Sequence, residues 1–172
     1  MKKLLTLTAM ILTLCLLLCG CGAPSKPQVT VDPKFGETMD FEHEGFKITL
    51  TDKFLQEGDS TNRYYTVFSS SSFECMVYVI KEDFSKTEGL EDMSLEEFAS
   101  YYPDATNYRN YELHINDDHC CFVRHEEDLA SFYNFCYKGS DAFFVVRFLC
   151  PPDRVAEMEE PFFAWASGVE VE

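Results

Sequence analysis

Residues 132–149 read FYNFCYKGSDAFFVVRFL, two runs of aromatic and β-branched residues on either side of Lys138-Gly139-Ser140-Asp141. Such side chains fit a pleated, half-buried surface, and glycine takes a positive φ at little steric cost. The stretch therefore predicts an antiparallel hairpin, residues 132–137 against 142–149. Three more hairpins lie upstream by the same alternation. Residues 111–115 and 119–125 flank Asn116-Asp117-Asp118, residues 64–68 and 73–80 flank the serines at 69 to 72, and Phe41 faces Phe46-Lys47-Ile48-Thr49-Leu50 across Glu44-Gly45.

Two helices complete the pattern. Ser94-Leu95-Glu96-Glu97 has the form of a capping box, with Ser94 as N-cap and Glu97 at the third helical position. Met93 and Phe98 stand where a hydrophobic staple would close over it, and Leu95, Phe98, Ala99 and Tyr102 share one face up to Pro103, where the helix should stop. The last helix starts near Pro152, and Val155, Met158, Phe162, Trp165 and Val169 recur at spacings of three and four as a stripe to be buried on the sheet. Pro161 should kink or split it, and Gly168 should end it before the tail at 169–172. Hairpins, a capped central helix, more hairpins and a kinked C-terminal helix packed on them make an α+β domain with a largely antiparallel sheet.

The order of GFKITLTDKF, a two-strand unit with a serine turn, SLEEF, and an aromatic hairpin leading to FFAWASGVEV resembles the PsbP/Mog-type α/β/α sandwich. That family includes photosystem accessory proteins, a Ran-binding protein and small bacterial lipoproteins. The resemblance implies the fold and transfers no functional residue, because one fold hosts unrelated functions.

The chain begins Met1-Lys2-Lys3 and continues with an uncharged apolar run from Leu4 to Leu18. A run of that length suits a signal-peptide core and falls short of the roughly 20 residues that span a bilayer. Leu18-Cys19-Gly20-Cys21 follows, and it resembles the bacterial lipoprotein lipobox. Cys19 as the modified residue would place bulky Leu18 at the cleavage position, so Cys21 is the preferred site. The resemblance implies a diacylglyceryl group on the Cys21 thiol and cleavage before it, giving a leader at 1–20. Residues 21–34 then form a lipidated, proline-rich tether, unless Val29 and Val31 begin an ordered strand, and 35–172 form one globular domain.

The 172 residues carry 14 Lys and Arg against 30 Asp and Glu, a net charge of −16. Removal of the leader takes away two of the 14 basic residues and none of the acidic ones, so the charge moves to −18. A nucleic-acid binder needs a basic face, and a polybasic membrane anchor needs the same, so both classes are excluded.

Five cysteines remain past Cys21: Cys75, Cys120, Cys121, Cys136 and Cys150. They read as small buried hydrophobes, as one or two disulfides with at least one thiol left over, or as reactive thiols. A four-residue connection after Glu126 would set Cys121 opposite Cys136 on neighbouring strands, with Cys120 facing the other way. On a strand His119, Cys121 and His125 share one face, which with Cys136 makes the candidate thiol or metal constellation. No CxxC or HExxH spacing accompanies it. The acidic clusters lack the EF-hand pattern, the serines lack a GxSxG elbow, and the many tyrosines suit core and rim packing or a recognition surface.

The expectation is therefore a lipoprotein on the extracytoplasmic face of a bacterial cell membrane, or on the outer membrane of a Gram-negative envelope. It would be anchored through Cys21, would use no cofactor, and would bind a protein or small ligand without catalysis. The alternative is a small extracytoplasmic thiol- or metal-dependent protein built on His119, Cys121, His125 and Cys136.

Overall fold

The computed structural model describes residues 29, 31–57, 65–106, 111–115, 119–126 and 130–172, with the backbone alone at 124–126. The expected leader and Cys21 lie outside the described residues. The first hairpin forms as the alternation requires: β1 (Thr38–His43) pairs antiparallel with β2 (Phe46–Thr51). Glu44 and Gly45 make its turn with φ of 20° and 79°, the positive values a two-residue hairpin loop demands. Phe46, Ile48 and Leu50 are buried. β10 (Glu170–Val171), part of the expected tail, pairs with the other edge of β2 and closes a three-stranded sheet.

The remaining strands form a second, larger sheet. β3 (Leu55–Glu57), β4 (Thr66–Ser70), β5 (Cys75–Asp83), β6 (Glu112–Ile115), β7 (Cys120–Glu126), β8 (Ala130–Lys138) and β9 (Ala142–Cys150) stand in the order β3-β4-β5-β9-β8-β7-β6. Every neighbouring pair is antiparallel. Ser69 and Ser70 belong to β4, so the turn runs from Ser71 to Glu74, with Glu74 at φ 53°.

Period-two alternation gives the large sheet two apolar faces, and each receives a helix. α1 (Leu95–Ala105) lays Phe98 flat on Phe143, with ring centroids 4.0 Å apart, and packs Tyr102 against Phe122. Cys120, Cys136 and Val145 join that core. α2 (Val155–Ala166) covers the opposite face together with the small sheet, burying Met158, Phe162 and Trp165 against Phe148, Tyr133 and Phe35. Val155, the first residue of the stripe, is only half buried. The result is an α/β/α sandwich.

Neither helical proline acts as a break. Pro103 lies inside α1, which runs on to Ala105 and ends where the Thr106 hydroxyl donates to the Tyr102 carbonyl at 2.7 Å. Pro161 lies inside α2, which stays one element across it. Both prolines are buried, and packing of the ring offsets the hydrogen bond that proline cannot donate.

The capping box is complete: Glu97 N–H donates to Ser94 Oγ at 3.2 Å, and Ser94 N–H donates to Glu97 Oε2 at 2.7 Å. Ser94→Ala should cost about 1 kcal/mol of stability, read by urea titration. The backbone hydrogen bond from Ser94 holds the Glu97 carboxyl below its ordinary value. Its contribution is therefore present at neutral pH and is lost as pH falls through the lower carboxylate range.

Val29 and Val31 pack against the main core, and Val29 Cγ2 lies 2.3 Å from where a Cβ on Gly168 would stand. Only glycine leaves room for that contact, and the packed chain thus includes two residues of the expected tether.

Candidate functional site

β7 and β8 place the candidate residues in a register one step away from the expected one. Glu126 pairs with Ala130 across the connection at 127–129, so Cys120 stands opposite Cys136 and Cys121 opposite Phe135. A one-residue slip moves a side chain to the other face. Cys136 therefore belongs with Cys120 beneath α1, while Cys121 lies in the core beneath α2.

His119 shares the Cys121 face and packs its ring against Phe135 and Tyr137, with centroids 5.6 Å and 5.9 Å away. His125 pairs in the backbone with Ser131 near the far end of β7. At about 3.4 Å per residue it is some 14 Å along the strand from Cys121. The four residues do not converge. Burial pushes the Cys121 thiol up to about 12 and the Cys136 thiol well above its ordinary value, so neither is a thiolate near neutral pH. Among the described residues no group of three or more His, Cys, Asp or Glu side chains is placed to hold a metal ion.

The tyrosines divide. Tyr133 and Tyr137 are buried, the latter donating to the Ala166 carbonyl at 2.8 Å. Tyr101 is exposed, and Tyr64 and Tyr108 lie outside the described residues.

A different arrangement emerges on the α1 side of the large sheet. α1 covers the rows around Phe143, Val145 and Phe122. Further along the same face β5 contributes Met76 and Tyr78, β9 contributes Arg147 and Leu149, and β8 contributes Phe132, all half buried. Tyr78 stands opposite Arg147, and Arg147 opposite Asn134, in one row across three strands. Arg147 Nε donates to Asn134 Oδ1 at 2.6 Å, and the fully buried Asn134 donates from Nδ2 to the Phe122 carbonyl at 3.2 Å.

That chain of bonds fixes the guanidinium stem on the sheet. An oriented arginine among tyrosine, methionine and phenylalanine is the composition of a recognition surface. The signal lay in the sequence as two polar residues, Asn134 and Arg147, inside the most apolar strands. Only the β8·β9 register shows that they meet.

Depressions among the described residues lie elsewhere. One, of about 410 Å³, is lined by residues at the turn of β1 and β2 and by Glu170, Val171 and Glu172. It is acidic, with Glu42, Glu44, Glu170 and Glu172 around His43 and Lys47. Another is an open surface of about 670 Å³ beside the first turns of α1, between Ser94 and Tyr101.

The arrangement of sheet and helices has counterparts among solved structures. The cyanobacterial PsbP protein (CyanoP) of Synechocystis sp. PCC 6803 superposes with a TM-score of 0.54 at 12% identity, over 89% of this chain and 98% of that one. The fold is PsbP-like. A second chain, from Bacteroides thetaiotaomicron VPI-5482, matches at a TM-score of 0.50 and 10% identity, over 80% of this chain. Only 49% of that second chain is covered, so this PsbP-like fold spans about half its length. No family model matches the sequence, and no curated protein matches it. At such identities the PsbP-like architecture is what is shared.

Proposed function

We propose that the protein is a lipid-anchored, extracytoplasmic lipoprotein whose domain binds a protein or small ligand without catalysing a reaction. The observation that carries this reading is the succession of sequence features at the start of the chain: Lys2-Lys3, the apolar run from Leu4 to Leu18, then Leu18-Cys19-Gly20-Cys21. Two acyl chains on Cys21 would anchor the chain stably, at about 0.8 kcal/mol for each buried methylene. Val29 already packs on the domain. The eight residue-to-residue steps from Cys21 to Val29 therefore hold the domain within about 27 Å of the bilayer, the reach of that length of extended chain. The negative charge keeps it from lying flat on anionic headgroups.

The row of Tyr78, Arg147 and Asn134 supports a binding role. The burial of Cys121 and Cys136 weighs against the thiol-enzyme alternative, which needs an accessible nucleophile. Cys21→Ala should leave an uncleaved precursor or release the protein from the membrane fraction, with loss of fatty-acid labelling. Fatty-acid labelling and membrane partition that survive Cys21→Ala would reject the anchor. For binding, a photo-crosslinker at position 78 in the membrane-bound protein should give a defined adduct that Arg147→Glu abolishes. No adduct, or one insensitive to Arg147→Glu, would reject this face.

A further inference from the structure

Four of the five thiols past the leader form two cross-strand pairs, and the hydrogen-bond phase of the ladders distinguishes them. Met76 stands opposite Leu149, so the next step of the same register sets Cys75 opposite Cys150. Both are buried in the core beneath α2. Cys120 stands opposite Cys136 in the core beneath α1. The structure holds these cysteines as thiols.

Along an antiparallel ladder hydrogen-bonded and non-hydrogen-bonded pairs alternate. Phe84 N–H donates to the Asp141 carbonyl at 2.9 Å, one step beyond Asp83↔Ala142. Counting by twos, Glu82↔Phe143, Ile80↔Val145, Tyr78↔Arg147 and Met76↔Leu149 are the bonded pairs, and Cys75 with Cys150 falls on a non-bonded position. On the other side Gly139 N–H donates to the Ala142 carbonyl at 2.9 Å. Odd-numbered residues of β8 therefore turn their backbone groups to β9, and even-numbered ones, Cys136 among them, turn theirs to β7. Cys120↔Cys136 is a bonded pair.

The two kinds of position differ in width. Directly opposed Cα atoms are about 4.5 Å apart at a non-bonded pair and about 5.5 Å at a bonded one, and the Cβ atoms follow. A disulfide needs its Cβ atoms about 3.8 Å apart. We propose that Cys75 and Cys150 form a disulfide joining β5 to β9, while Cys120, Cys121 and Cys136 remain thiols. The pairing rests on strand geometry, and its formation in the cell rests on the extracytoplasmic reading above.

The chemistry is thiol–disulfide exchange with a disulfide oxidant, either a small-molecule disulfide or a dithiol oxidase. One cysteine loses its proton to solvent and its thiolate attacks the oxidant's disulfide, releasing the first oxidant thiolate. The second cysteine, deprotonated likewise, attacks the mixed disulfide and expels the other. Two protein thiols lose two protons and two electrons, and the oxidant gains both electrons as two thiols.

In the folded protein burial pushes Cys75 up to about 12 and Cys150 up to about 11, although the Arg154 guanidinium beside both favours their thiolates. Exchange is therefore fastest on the folding chain, before the pair is covered.

The test uses the purified full chain in detergent, reduced and unfolded, then refolded in a buffer of oxidised and reduced glutathione. Alkylation under denaturing conditions without reductant is followed by peptide mapping. The expected result is a linked Cys75–Cys150 peptide, with Cys120, Cys121 and Cys136 alkylated. The oxidised protein should also melt about 10 °C above the reduced one, an increment that Cys75→Ser removes. Recovery of Cys75 and Cys150 both alkylated, or a Cys120–Cys136 link in their place, overturns the assignment even if Cys75→Ser folds poorly. A second arm alkylates whole cells before lysis. The link formed in glutathione but absent in cells supports the pairing and counts against the extracytoplasmic placement instead.

Discussion

Phe162→Ala should destabilise the protein by about 3 to 5 kcal/mol, the usual cost of truncating a fully buried phenylalanine. Phe162 is 0% exposed and stacks on Phe148 with ring centroids 5.0 Å apart, while Tyr133 meets it edge-on at 5.5 Å. Its neighbour one turn on, Trp165, is equally buried among Phe35, Phe54 and Phe73. Truncation would open a cavity between rings that cannot collapse onto one another, because β9 and α2 hold them from both sides. Denaturant unfolding followed by Trp165 fluorescence measures the loss. A change below about 1 kcal/mol would mean that α2 does not seal this core.

The second large effect concerns Cys121. Its thiol is pushed up to about 12 by burial, against the donated backbone hydrogen bond at Asn134. Near pH 8 its thiolate fraction should be roughly a thousandfold lower than in the unfolded chain, and native alkylation should slow accordingly. Mass spectrometry of iodoacetamide adducts in native and denatured protein reads this directly. The same burial makes stability fall with alkalinity. The unfolded thiol loses its proton near pH 9 while the folded one keeps it to about 12, so between those values the unfolded state binds fewer protons and is favoured as pH rises. Rapid native labelling at neutral pH would instead make Cys121 a reactive thiol.

Several elements were legible residue by residue. The 132–149 hairpin appears as β8 and β9, and Ser94 and Glu97 make both halves of their box. The α2 stripe is buried at Met158, Phe162 and Trp165. Each depends on neighbours within a few positions, where periodicity and side-chain chemistry act directly. β3 and β10, of three and two residues, are too short to carry a period. They exist because an edge of β4 and an edge of β2 offer unpaired backbone groups. Pro103 misled because its cost is local, whereas the burial that offsets it belongs to the whole sandwich.

Periodicity and local side-chain chemistry were enough for the α+β class, the helix start at Ser94 and the alternation of the strand faces. Which rows meet depends on contacts between segments far apart in the chain. Glu126 closing on Ala130 moved Cys136 from Cys121 to Cys120. The pairing of β5 with β9 brought Tyr78 to Arg147, and with it Cys75 to Cys150, across about half of the domain. Alternation along one strand is a local property of the pleat. Register between strands is set by connection length and by the packing of distant elements, and a shift of one residue exchanges every side chain between the two cores.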